Sequence, residues 1–77
     1  MDANLQKAIK LLIGTYKVKP EGYMMYNGSY IFKAGSDDSM DPFYIVDLKI
    51  GKAGRFSPAF DLAGFFEASK KYVKFED

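Results

Sequence analysis

Cysteine, histidine and tryptophan are absent from the 77 residues of this chain, and their absence excludes several kinds of chemistry. Without cysteine there is no disulfide framework, thiolate metal site or cysteine nucleophile. Without histidine the chain lacks the commonest general base and the commonest zinc ligand. No apolar run is long enough to span a bilayer, and the first ten residues lack the apolar segment of a signal peptide. We therefore expect a cytoplasmic protein with no cofactor, metal ion or membrane span.

The residues that are present describe one small folded domain. Hydrophobic residues make up 48% of the chain and charged residues 27%, which is too apolar for intrinsic disorder. A chain of 77 residues is enough for a single domain, 1–77, with a modest core. The net charge is +1, so no strong electric field attracts the chain to nucleic acid or to an anionic membrane.

A first helix is expected over residues 3–13. Asp2 suits its N-cap, and Gly14 suits the position just after its end. Apolar side chains recur at intervals of three and four positions, as on the buried face of an amphipathic helix. These side chains are Leu5, Ala8, Ile9, Leu12 and Ile13.

A second helix is expected to begin at Ser57, the N-cap, with Pro58 at the first helical position. Asp61 adds negative charge to the first turn, where the helix dipole favours it. Gly64 costs about 1 kcal/mol relative to alanine inside a helix, so we expect it to permit a close approach to the sheet. The expected buried stripe comprises Leu62, Phe65, Phe66, Ser69, Tyr72 and Val73.

The strongest local pattern is YMMYNGSYIFKA, residues 23–34. Asn27-Gly28 lies between two β-prone runs and predicts a hairpin, because a type I′ turn needs positive φ at both central residues. Strand alternation then separates two faces. One carries Tyr23, Met25, Tyr30 and Phe32, and we expect it to face the core. The other carries Met24, Tyr26, Ser29, Ile31 and Lys33.

A second hairpin is expected from residues 43–47 and 52–56, with Asp47 and Gly51 suited to the corners of its turn. The position of this turn stays open. Either the turn keeps this frame and presents Leu48 and Ile50 at its tip, or the strand continues through them and the turn moves to residues 51–54.

The acidic segment GSDDSMDP, residues 35–42, is expected to be a solvated loop. Its aspartates lack the closing glutamate that a calcium loop of this kind requires.

Helix, hairpin, hairpin, helix is the order of an α+β fold. Two amphipathic helices need an apolar partner, and one face of a four-stranded antiparallel sheet supplies it. We therefore expect a two-layer sandwich with both helices on one sheet face.

A pattern over residues 41–68 resembles one shared by small uncharacterised bacterial proteins, often found in phage or prophage regions. That pattern is DPFF-x-V-D-K-K-T-G-K-V-x-x-F-S-P followed by D and F-F-x-A, and a helix and a Y-x-F strand precede it. The matching residues here are Tyr30-Ile31-Phe32, Asp41-Pro42-Phe43-Tyr44, Val46-Asp47, Gly51, Phe56-Ser57-Pro58, Asp61-Leu62 and Phe65-Phe66-Glu67-Ala68.

This chain departs from that pattern in the turn, where Leu48 and Ile50 replace a lysine and a threonine. The hairpin frame is more weakly similar to PepSY-like domains and to YrhB-type immunity proteins, which act by binding or inhibition. The resemblance implies a phage or mobile-element setting and does not imply a catalytic mechanism.

The residues do not form a recognisable catalytic set. Hydroxyl side chains lack a histidine base, and Asp47 with Glu67 is the one carboxylate pair that we considered for acid–base chemistry. We expect no enzymatic activity. Basic residues do interleave with tyrosine and phenylalanine, so weak binding of single-stranded nucleic acid is kept as an alternative.

Protein binding is the function that the composition favours, because tyrosine and methionine are enriched at interfaces. With both helices on one face, the opposite sheet face and the tip of the second hairpin would be open. The expected binding residues are Met24, Tyr26, Ile31, Tyr44, Val46, Leu48 and Ile50. We interpret the chain as a non-enzymatic interaction module that binds or inhibits a host or defence protein. A phage virion or assembly accessory protein is an alternative, and the partner can be a second copy of the chain.

Overall fold

The computed structural model describes residues 2–34 and 42–75 and has an α+β fold, as expected. The helices are α1 (Ala3–Tyr16) and α2 (Leu62–Ser69), and a 3-10 turn spans Pro58–Phe60. The strands are β1 (Pro20–Tyr26), β2 (Ser29–Ala34), β3 (Phe43–Asp47), β4 (Lys52–Arg55) and β5 (Val73–Lys74). They form one antiparallel sheet in the order β4-β3-β2-β1-β5. The predicted acidic loop, apart from Pro42, lies outside the described residues.

Helix α1 begins where the sequence predicts, but it ends later. The Asp2 side chain accepts a 3.0 Å hydrogen bond from the Asn4 amide, which caps the first turn. The helix continues past Gly14 to a left-handed residue, Lys17 (φ 59°), whose N–H donates to the Ile13 carbonyl at 2.9 Å.

The first hairpin confirms the register that Asn27-Gly28 predicts. Both turn residues have positive φ, 48° and 81°, and Tyr26 pairs with Ser29. Strand β1 extends back to Pro20, before the predicted start at residue 23.

The second hairpin keeps the Asp47–Gly51 frame, so the alternative turn at 51–54 is wrong. Asp47 pairs with Lys52, and its carboxylate accepts the Lys49 N–H at 2.9 Å. Gly51 has a φ of 66°, the left-handed conformation that this turn requires.

The predicted second helix is in fact three elements. The Ser57 side chain makes no capping hydrogen bond, and only a 3-10 turn follows it. Helix α2 begins after Asp61 and ends at Ser69. The chain then crosses to the sheet edge, where Val73 and Lys74 pair with Tyr23 and Gly22 as strand β5.

The two helices pack on opposite faces of the sheet, which corrects the expectation that both lie on one face. One hydrophobic core, which we call the α1-side core, lies between α1 and one face of the sheet. A second, the α2-side core, lies between α2 and the opposite face. Neighbouring residues Ile31 and Phe32 in β2 are both fully buried, one in each core. Both faces of the sheet are apolar, so each needs a cover.

The α1-side core consists of Leu5, Ala8, Leu12, Tyr30, Phe32, Ala34, Tyr44 and Val46. The α2-side core consists of Met24, Ile31 and Phe56, with Tyr26, Phe43, Ile45, Phe65, Ala68 and Tyr72 partly buried around them.

Candidate functional site

Most of the predicted binding residues lie inside the two cores and not on an open face. Met24, Ile31, Tyr44 and Val46 are all buried, with at most 6% of their surface exposed. They do not share a face either, because Tyr44 pairs with Phe32 and therefore belongs to the α1 side. Among the described residues each sheet face is covered by a helix, so the predicted open sheet face is not present.

The two aliphatic residues of the second turn have different surroundings. Leu48 packs partly buried against the α1-side core. Ile50 is 65% exposed at the tip of the turn. The predicted pair therefore presents one side chain to solvent, and a single exposed aliphatic residue is ordinary on a protein surface.

Tyr26 is the predicted residue with the most specific polar contact. Its hydroxyl donates a 2.6 Å hydrogen bond to Oδ2 of Asp61, and Oδ1 of Asp61 accepts the Gly64 N–H at 3.0 Å. The hydrogen bond from Tyr26, followed by that from Gly64, lowers the pKa of Asp61, and the same carboxylate raises the pKa of Tyr26. Both oxygens of Asp61 thus hold α2 in place.

Gly64 permits this arrangement because a side chain at its position would collide with its neighbours. A Cβ atom there would meet the Asp61 carboxylate and would lie 3.0 Å from Cε1 of Tyr26. The expectation that Gly64 brings the helix close to the sheet is confirmed.

Helix α2 directs its large apolar residues to two opposite sides. Phe65 points inward, and its ring packs edge-on against Phe43 with centroids 4.9 Å apart. Leu62 and Phe66 lie four positions apart on the outer side and are 67% and 63% exposed. Phe60, in the 3-10 turn, is 87% exposed. We call Phe60, Leu62 and Phe66 the exposed apolar segment.

Sequence reasoning missed this segment because it placed Leu62 and Phe66 in a buried stripe. That stripe assumed one helix from Ser57 to Val73 that packs along its whole length. Asp61 followed by Gly64 was the signal for a later N-cap, since aspartate commonly caps the amide three residues on. A short helix has only one inner face, so the remaining apolar residues face outward.

A groove of about 420 Å³ lies beside the exposed apolar segment, at the end of β4. Its lining residues are Tyr26, Ile45, Arg55, Phe56, Ser57 and Phe60. Gly54 pairs with Ile45 in the adjacent strand. A Cβ atom on Gly54 would have no described atom within 4 Å. In the part of the chain that the structure describes, the sheet surface beside the groove is therefore open on the side of β4 that faces away from β3.

A second groove, of about 500 Å³, lies between the end of β1 and α2. Its lining includes one acidic residue, Glu67, and one basic residue, Lys71. The groove therefore does not favour a ligand of either charge. Glu67 also forms an ion pair with Lys70, whose ammonium group donates a 3.1 Å hydrogen bond to Oε1 of Glu67.

The carboxylates considered for catalysis have structural roles. Asp47 holds its turn through the Lys49 amide, and Glu67 pairs with Lys70. Within residues 2–34 and 42–75, no three acidic side chains converge as a metal site requires. Within the same ranges, no helix is long and apolar enough to cross a membrane.

The geometry therefore presents an exposed apolar segment, an adjoining groove and a strand edge as candidate contact surfaces. Comparison with family models, curated proteins and solved structures finds no match to this chain.

Proposed function

We propose that this chain is a non-enzymatic protein-interaction module that contacts its partner through the exposed apolar segment. The observation that carries the proposal is the exposure of Phe60, Leu62 and Phe66, at 87%, 67% and 63%, within seven consecutive residues. Single exposed apolar residues are common, whereas a contiguous apolar patch marks an interaction site. Leu62 and Phe66 are neighbours on one face of α2, and Phe60 lies two residues before Leu62 in the chain.

The size of the segment supports a binding role. Its three side chains expose roughly 400 Å² of largely apolar area, given the 150–250 Å² that one aromatic residue can bury. This area is comparable to the largest apolar patch of a typical monomer, about 300–600 Å². A standard interface buries about 800 Å² on each partner, so we expect the partner also to contact the neighbouring groove.

The energetics of this segment alone come close to balance. Burial of this area is worth about 10 kcal/mol at 25 cal/mol per Å². Association and side-chain ordering oppose binding by about 4–15 kcal/mol. Additional polar or main-chain contacts are therefore needed for tight binding.

The sequence resemblance supports a phage or mobile-element setting, in which the partner is a host or defence protein. Gene neighbourhood tests this part of the proposal. Anti-defence genes beside the coding sequence would support an inhibitor, whereas capsid and tail genes would instead support an assembly accessory protein.

The binding proposal is tested by affinity capture from a lysate of the source cell. The bait is the full chain, compared with a variant that carries Phe60→Ser, Leu62→Ser and Phe66→Ser. We expect a protein that the wild type captures to be lost with the variant. The captured protein is then purified, and its Kd for both baits is measured by calorimetry.

A matched control carries Ile13→Ser and Met25→Ser, because these residues are also partly exposed, at 43% and 47%, but lie outside the segment. The control is expected to capture the same protein as the wild type. Equal Kd values for wild type and the triple variant would contradict the proposal. Light scattering of the wild type alone shows whether the partner is a second copy.

A further inference from the structure

Strand β4 is an outer strand of the sheet, with β3 as its one neighbour among the described residues. The Phe56 N–H donates to the Phe43 carbonyl at 3.0 Å, and the paired residues continue in this register to Asp47 and Lys52. In an antiparallel ladder, alternate residues direct their N–H and C=O groups to the neighbour. The main-chain groups of Ala53 and Arg55 therefore point away from β3.

The charges on this edge are all of one sign. Lys49, Lys52 and Arg55 are exposed, and every charged residue between positions 48 and 57 is basic. Strand alternation places Lys52 and Arg55 on opposite sheet faces. The Arg55 guanidinium lies 5.9 Å from the centre of the Tyr44 ring, on the α1 side. A cation thus flanks each face of the edge.

This charge pattern argues against a second copy as the occupant. Two β4 strands side by side would bring the basic side chains of both copies together, and the one acidic residue of the β3–β4 pairs, Asp47, lies opposite Lys52 on the inner strand. Like charges across neighbouring strands are destabilising, and lysine on an edge strand is a common protection against self-pairing. An extended segment with acidic side chains has the complementary charge.

The groove defines one further feature of the occupant. Gly54 belongs to the α2 side of the sheet, where it pairs with Ile45. Its neighbours in the strand, Ala53 and Arg55, belong to the α1 side. A residue opposite Gly54 in an added strand would place its side chain on the α2 side as well. That side chain would enter the open space towards Ile45, Phe56 and Phe60.

We propose that the edge of β4 binds an extended acidic segment of the partner protein as an added antiparallel strand. The segment carries two carboxylates three positions apart, opposite Arg55 and Lys52, and an apolar residue directly after the first, opposite Gly54. Main-chain hydrogen bonds provide affinity in this mode, and alternate side chains provide specificity. The inference rests on the proposed function and adds the chemistry of the partner segment.

The test uses the peptide acetyl-TTEVTETT-amide as the probe and the full chain labelled with ¹⁵N. We expect amide shift changes confined to residues 52–60 during the titration. Substitution of both glutamates by lysine in the probe should abolish binding. Lys52→Glu and Arg55→Glu should each weaken it about tenfold or more, and added salt should weaken it further.

Main-chain pairing has its own variant. Ala53→Pro removes an N–H that points away from β3, so the ladder between β3 and β4 keeps its hydrogen bonds. We expect this variant to stay folded, as judged by its amide spectrum, and to lose the peptide. Lys7→Glu on α1 is the matched charge control and should bind as the wild type does.

Three outcomes would overturn the inference: no binding up to the solubility limit of the peptide, shift changes centred on the β1–α2 groove, or equal binding of the lysine peptide. The captured partner separates this inference from the proposed function. If its binding depends on Phe60, Leu62 and Phe66 but not on Lys52 and Arg55, the proposed function stands and the β4 inference fails. If its binding depends on neither set, both fail.

Discussion

The hydroxyl of Tyr26 donates a 2.6 Å hydrogen bond to Oδ2 of Asp61, a residue 35 positions later in the chain. Tyr26 ends the first strand of the sheet, and Asp61 caps α2 through the Gly64 amide. One carboxylate therefore both starts the helix and attaches it to the sheet. The attachment sets the direction in which Leu62 and Phe66 face solvent.

We predict that Asp61 makes stability depend on pH in acid. The Tyr26 hydroxyl and the Gly64 N–H hold the pKa of Asp61 below its usual value of 3.8. The resulting stabilisation is present above that value and is lost as the pH falls through the lowered pKa of the folded state. The difference in Tm between wild type and Asp61→Asn should be largest near neutral pH and should shrink in acid. An equal difference at pH 7 and at about pH 2.5 would contradict the role of the charge.

Substitution by alanine should change the stability of the chain in opposite directions at two helical glycines. Gly14→Ala in α1 should stabilise the chain by about 0.5–1 kcal/mol, since alanine favours helix. No described atom lies within 4 Å of the added methyl group. Gly64→Ala should destabilise it by about 1–3 kcal/mol, because the methyl group meets Asp61 and Tyr26. Urea unfolding followed by circular dichroism measures both, and a shared sign would refute the close approach at Gly64.

Truncation of Ile31 should destabilise the fold strongly, because this residue is part of the core although it lies on the face that was expected to be open. It is fully buried in the α2-side core, so Ile31→Ala should cost about 2–5 kcal/mol of unfolding free energy. Met25→Ala is the comparison, since Met25 in β1 is 47% exposed, and it should change stability by about 0.5 kcal/mol or less. Similar small effects for both variants would mean that α2 does not cover its face.

Gly22→Ala should release β5 from the sheet. A Cβ atom at Gly22 would collide with the Tyr72 hydroxyl and the Val73 carbonyl, which lie directly against this glycine. The Phe75 N–H, which donates to the Glu21 carbonyl at 2.8 Å, should then exchange with solvent much faster. Amide exchange measured by NMR tests this, with Gly54→Ala as the control because Gly54 has open space around it. Unchanged protection of Phe75 would show that β5 tolerates the methyl group.

The parts of the fold that sequence predicts well are those that a few neighbouring residues determine. Asn27-Gly28 requires two positive φ angles, and this local requirement sets the register of the whole first hairpin. Asp47 and Gly51 hold the second turn in the same local way, although the sequence alone also allowed a turn at residues 51–54. The burial pattern of α1 is nearly as local, although Ile13 is 43% exposed while Leu11 contacts the core.

The candidate site was harder to predict because it depends on relations between distant elements. Pairing of Tyr30 with Val46 joins β2 to β3 across residues 35–41, and no local turn rule specifies that register. The sequence pattern consequently assigned Tyr44 and Val46 to the same face as Ile31. Leu62 and Phe66 resembled core residues because their hydrophobicity does not reveal which side of a helix has a partner.

The sequence by itself determined the α+β class, the first hairpin turn and the start of α1, because turns and caps depend on the backbone preferences of adjacent residues. Only the tertiary structure decided that each sheet face has its own helix, that the chain after Ser69 returns to the sheet as β5, and that Phe60, Leu62 and Phe66 remain exposed. The physical reason is burial, which is a competition for shared surface among residues far apart in the chain. That competition buried Met24, Ile31, Tyr44 and Val46 of the predicted site and left the exposed apolar segment facing solvent.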